Sequence, residues 1–193
     1  MASHCETLLQ RIHVCQICSQ QLPLHPKPIL QVDSRATILI AGQAPGRKAH
    51  DRGMPFDDAS GDRLRAWLGV DRETFCDARH FAIVPMGFCY PGKGCSGDAP
   101  PRRECAEQWR RPLLEALPNI QLTVVLGKYA LAYHLPQFKG GVTEAVQNWQ
   151  QVWPRYLPLP HPSPRNQAWF KRNAWFEAVL LPRLQQRVRA LLG

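Results

Sequence analysis

Two short segments carry the residue types best suited to chemistry. GQAPG (42–46) places two glycines around a stiff proline. Gly42 and Gly46 let the backbone turn sharply and approach a ligand, and the successive N–H groups of such a turn can hold an anion or a carbonyl oxygen. HPSPRN (161–166) holds a histidine between rigid prolines, so His161 is oriented at little entropic cost and can donate a hydrogen bond to a developing anion. Taken singly, each segment also reads as something plainer: a tight turn without a ligand, or a satisfied histidine. Seven cysteines complete the chemical inventory, with Cys15-x2-Cys18 near the N-terminus and Cys89 and Cys105 far downstream. In a reducing compartment these are thiols or metal ligands rather than disulfides.

The elements that must position these residues follow from the hydrophobic pattern. Four apolar runs predict buried strands: 36–42, 80–88, 120–127 and 152–160. Continuous rather than alternating apolar runs suit strands covered on both faces. Helical patterns span 61–68, with Ser60 as a cap, then 105–117, 128–135 and 169–192, where Pro182 is expected to bend or split the last. The alternation predicts an α/β fold, a three-layer α/β/α sandwich around a mostly parallel four-stranded sheet. Its binding crevice is expected beyond the carboxyl ends of the strands, where 42–56, 89–102, 127–130 and 161–166 all begin.

The chain has 193 residues, with 24 Lys and Arg against 15 Asp and Glu, a formal charge of +9. Residues 151–193 contribute +6 of this, from Arg155, Arg165, Lys171, Arg172, Arg183, Arg187 and Arg189 against Glu177. That asymmetry is the footprint of a polyanionic partner. No apolar run is long enough to span a bilayer, and the first residues lack a signal-peptide pattern. The expectation is a cytoplasmic monomer whose partner is DNA or RNA and not a membrane, unless the basic stretch is only a solvated face. No G-x-S-x-G elbow is present, which counts against an esterase-like hydrolase.

The ordered pair of motifs resembles the two signatures of the uracil-DNA glycosylase superfamily. GQAPG is similar to a blend of GQDPYH and the GEAPG of the iron–sulfur branch, and HPSP is similar to the second motif. GMPF (53–56) resembles the family's G-x-P-F segment, whose ring stacks on the extruded base. The resemblance covers most of the chain and implies a single domain over 1–193, with an N-terminal segment 1–35 carrying the C-x2-C pair. Cys15, Cys18, Cys89 and Cys105 resemble the four-cysteine ligand set of the iron–sulfur branch. Such a set suits a [4Fe–4S] cluster or zinc, with free thiols as the remaining state, and Cys95 competes with Cys89.

The implied reaction is hydrolysis of the bond between a flipped base and its sugar. His161 would steady the departing base, Gln43 would help hold it, and Asp58 would orient the water. Asp57 and His50 are the other neighbours for that last task, and either aspartate reads equally as the cap of the helix beginning near Ser60. Gly42, Ala44, Phe56, Ser163, Arg165 and Asn166 would contact the substrate, Phe56 by stacking and Arg165 by entering the vacated stack. Two departures from the family pattern stand out. Ala44 replaces the aspartate of GQDPYH, and Gln43 replaces the glutamate of GEAPG. The stretch VPMGF (84–88) lacks the asparagine that reads the uracil edge. A binding module that does not cut is the alternative. The repair reading requires His161 and Phe56 to face one cavity.

Overall fold

A computed structural model describes residues 4–95 and 97–193. The strands, in chain order, are β1 (Ile38–Ala41), β2 (Phe81–Ile83), β3 (Lys93–Gly94), β4 (Gly97–Asp98), β5 (Leu122–Leu126) and β6 (Tyr156–Leu159). β2, β1, β5 and β6 form a wholly parallel sheet in that order, and β3 and β4 pair as a small antiparallel hairpin. The helices are α1 (His4–His13), α2 (Arg47–Arg52), α3 (Ala59–Leu68), α4 (Arg72–Cys76), α5 (Arg103–Glu115), α6 (Gly127–His134), α7 (Val142–Gln147), α8 (Gln167–Arg172) and α9 (Leu181–Leu192).

The sheet is buried on both faces, as its sequence requires. Along β1, Ile38 and Ile40 join the cluster packed by Leu64, Trp67, Phe176 and Leu184, on the side of α3 and α9. Leu39 points the other way, among Ile12, Trp109 and Leu113 of α1 and α5. The predicted three-layer arrangement is therefore the observed one. All four predicted main strands are present. β6 carries Pro158 within an edge strand, where a missing N–H is tolerated.

The differences have local causes. The run 80–88 is a strand only over Phe81–Ile83. Val84 N still donates to Ile40 O at 3.0 Å, but Pro85 has no N–H with which to continue the ladder. α3 is capped by Asp58, whose Oδ1 accepts from Gly61 N at 2.9 Å, and not by Ser60. The helical pattern at 169–192 breaks at Asn173 rather than at Pro182. A π-helical stretch, Phe176–Leu180, then runs without a break into α9, which has Pro182 in its first turn.

The chain turns from β1 to β2 on one side of the sheet and then passes to β5 and β6 on the other. The crossover point beside β1 is where a crevice opens in such sheets. It opens here beyond the ends of β1, β2 and β6.

Candidate active site

A cleft of about 250 Å³ is lined by Gly42 to Gly46, Pro55, Phe56, Asp58, Ser60, Pro85, Asp98, His161, Ser163 and Arg165. The two motifs, far apart in sequence, thus meet at one rim of the sheet, and His161 and Phe56 face the same space.

His161 leaves the end of β6 between two prolines. Asn166 Nδ2 donates to the His161 carbonyl oxygen at 2.7 Å, closing the loop upon itself. Asn166 therefore holds the histidine's backbone and lines a neighbouring groove rather than the cleft, unlike the substrate contact expected of it. Burial pulls the imidazole pKa below its ordinary value, against the opposing charges of Asp58 and Asp98. The ring is neutral near pH 7, a form that still offers one N–H donor. Ser163 accepts from Arg165 N at 3.2 Å through its hydroxyl and from Arg63 Nη1 at 3.1 Å through its carbonyl.

Phe56 stands in the left-handed region with φ 54°, uncommon for a residue with a side chain. The surroundings enforce it. Arg65 Nη1 donates to Phe56 O at 3.2 Å, and Phe75 meets the ring edge-on at 6.1 Å. Gly61 must be glycine, because a Cβ there would lie 1.7 Å from Phe56 O. The ring tip stands 3.8 Å from where a Cβ of Gly42 would project, so the bare backbone of motif one leaves the ring its place.

Motif one is stitched to the strap after β2. Met86 N donates to Gly42 O at 2.9 Å and Gly87 N to Gln43 O at 3.0 Å. The amides of Gln43 and Ala44 make no hydrogen bond among the described residues, which leaves them for a ligand. The Gln43 side chain reaches sideways, its Nε2 donating to Ala99 O at 2.9 Å. The strap is held from behind by Arg110, fully buried, which donates to Val84 O at 3.0 Å and Pro85 O at 2.9 Å. Its other face meets His134, whose pKa burial and the guanidinium push down to about 3. Sequence reasoning missed Arg110, because nothing in a helical pattern marks one arginine among several as the buried one.

The acids divide. Asp57 is paired with Arg52 at 3.0 Å and Arg72 at 2.6 Å, outside the cleft. Asp58 lines the cleft while capping α3. Asp98, on β4, also lines it and was not singled out in the sequence; the Gly-rich stretch around it was the only signal. It is exposed at the rim, and partial desolvation of its carboxylate raises its pKa against the opposing charges of Arg165 and His161. Arg165 is exposed and lies across Gly97, where a Cβ would be 2.8 Å from its Nη1. His50 does not line the cleft.

On the far side of the strap, Cys15, Cys18, Cys89 and Cys105 line one apolar cavity of about 20 Å³, together with Phe88, Arg102 and Trp109. Trp109 Nε1 donates to Cys15 Sγ at 3.3 Å and Phe88 N to Cys105 Sγ at 3.4 Å. Desolvation pushes the Cys89 thiol up to about 11 and Cys105 up to about 12. Among the described residues, no three His, Cys, Asp or Glu side chains are gathered into a group that could hold a metal ion as placed. Cys95 is exposed on the hairpin turn and does not line this cavity, and neither do Cys5 and Cys76.

The family model of the uracil-DNA glycosylase superfamily matches residues 30–185. The chain belongs to that superfamily. The match spans both motifs, Phe56 and all four strands of the main sheet, and it begins after Cys15 and Cys18. Membership in the uracil-DNA glycosylase superfamily fits a basic chain with a cleft at its strand ends. No helix among the described residues is long and apolar enough to cross a membrane.

Proposed function

We propose that the protein is a monofunctional DNA glycosylase that hydrolyses the N-glycosidic bond of uracil or a related damaged base. The observation that carries this reading is the convergence of His161 and Phe56 on one cleft lined by the turn of motif one. The flipped base stacks on Phe56 and takes hydrogen bonds from the free amides of Gln43 and Ala44. Bond breaking leaves negative charge on the base and oxocarbenium character on the sugar. His161, neutral and fixed through its backbone, donates to the charged base oxygen. Arg165 at the rim, with Lys171 and Arg172 beyond it, meets the DNA backbone, and Arg165 is long enough to enter the vacated stack.

The test is base release from a uracil-containing oligonucleotide, single- and double-stranded, scored by alkali cleavage at abasic sites and extended to a panel of damaged bases. The wild type should cut without added cofactor, and His161→Ala should lose most of that activity while still binding DNA. A second reading, salt-dependent DNA binding without base release, is favoured by Ala44 and by Pro85 and Met86 standing where an asparagine would read the base. DNA binding with every base of the panel left in place would establish it.

The chain's own thiols support a [4Fe–4S] cluster as a structural partner. Four cysteines line one cavity, with N–H donors already directed at two sulfurs, as thiolate ligation favours. Cys15, Cys18, Cys89 and Cys105 would hold it once their sulfurs draw closer than they stand here, and it would supply a cross-link between the N-terminal segment and the 89–105 loop. Iron and sulfide analysis of protein purified without oxygen decides between this cluster, zinc and free thiols.

A further inference from the structure

We propose that Asp98 is the carboxylate that takes the proton of the attacking water; the inference rests on the glycosylase reading and adds a residue to it. Hydrolysis at a sugar carbon needs a base beside the water. Motif one supplies none, since Ala44 stands there. Asp58 is committed to the head of α3, where its Oδ1 accepts the Gly61 amide at 2.9 Å. Asp98 is uncommitted: among the described residues its carboxylate makes no hydrogen bond or ion pair, yet it lines the cleft shared by His161 and Phe56.

Its backbone is well anchored. Ala99 N donates to Gly92 O at 2.8 Å, Gln43 Nε2 holds Ala99 O at 2.9 Å, and β4 pairs Asp98 with Lys93 of β3. The Gln43 contact ties this hairpin directly to motif one. Gly46 leaves the carboxylate its space, for a Cβ there would stand 3.4 Å from Asp98 Oδ2. Four charged or titratable groups face it. Arg165 and His161 after β6 and Lys93 on β3 favour the ion and Asp58 before α3 disfavours it; Asp98 is exposed at the rim, and the partial desolvation of its carboxylate is the largest single influence, leaving the pKa above its ordinary value. The outcome is a base stronger than an ordinary carboxylate, closer to the pH at which it must work.

The step balances with water alone. The C1′–N bond breaks and its electron pair leaves on the base. The water oxygen bonds to C1′ and passes one proton to Asp98. The base anion takes a proton from solvent as it departs, and Asp98 returns its own to solvent.

A negative charge at a DNA-facing rim weakens DNA binding through phosphate repulsion, which gives the test two independent readouts. Single-turnover base release and oligonucleotide binding are measured against pH for the wild type, Asp98→Asn and Asp58→Asn. Asparagine caps helices as well as aspartate does, so the second variant removes charge without removing the cap. Asp98→Asn should release base at least about 100-fold more slowly, bind DNA as tightly or more tightly, and lose the acid limb of the pH profile. Asp58→Asn should keep the acid limb of the pH profile. Wild-type rate in Asp98→Asn, equal loss of rate and binding, or transfer of the whole loss to Asp58→Asn would each overturn the proposal and leave the glycosylase reading standing. A wild type inactive on every base would overturn both.

Discussion

The side chain of Asn166 donates its Nδ2 hydrogen to the backbone oxygen of His161, 2.7 Å away, five residues earlier in the same loop. The contact fixes the histidine without using either ring nitrogen. Asn166→Ala should therefore slow base release on the order of 10- to 100-fold through misplacement of the imidazole, with DNA affinity little changed. Asn166→Asp should behave similarly, since an ionised carboxylate cannot donate. Wild-type turnover in both variants would show that the loop holds its shape without this bond.

The His161 ring should remain neutral at pH values where an exposed histidine is half charged, about 6.5. Burial depresses its pKa, so protonation requires more acid; Asp98 and Asp58 oppose the effect. Removing the charge of Asp98 should lower the midpoint further. NMR titration of the imidazole in wild type and Asp98→Asn reads both, and a midpoint that rises in the variant would contradict the placement of the two groups.

Gly61→Ala should be among the most damaging small substitutions in the chain. The added methyl would sit 1.7 Å from Phe56 O. Either α3 shifts or Phe56 leaves its left-handed backbone, at a cost of at least about 1–3 kcal/mol. Denaturant unfolding should show that loss, and the Phe56 ring should be displaced with it. Stability equal to wild type would mean that the turn relaxes freely.

Stability should fall on acidification through His134. Its pKa is about 3 in the fold, so the unfolded chain binds a proton that the folded chain refuses between about 6.5 and 3. The contribution is present above about pH 6.5 and is lost as pH falls below it, by up to about 1.4 kcal/mol per pH unit. His134→Gln, which cannot titrate, should flatten the dependence by close to one proton. An unchanged slope in the variant would assign the effect elsewhere.

The main sheet and both cleft motifs were legible in the sequence because each rests on a local pattern. Ile38–Ala41 is apolar throughout and Leu122–Leu126 is so but for Thr123, and turns carrying glycine or proline follow the strand ends directly. Asp58 was legible as an acid near the cleft and equally as a helix cap, and the cap is what the coordinates display. Arg110 and Asp98 were not legible, for opposite reasons. Arg110 is buried only because α5 turns that one side chain towards two carbonyl groups after β2, a tertiary fact. Asp98 reaches the cleft because a two-residue hairpin, too short to leave a hydrophobic period, folds back over Gln43. The short helices α2, α4 and α7 escaped for the same lack of period.

The stretch Gly87–Cys89 belongs to two neighbourhoods at once. Its first residue is bonded to the Gln43 carbonyl, and its last offers a sulfur to the cysteine cavity. The cysteine cavity and the turn of motif one are thus joined through a strap three residues long. Oxidative injury to Cys89 would therefore strain that strap, and the turn bonded to its far end would feel a chemical change made well outside the cleft.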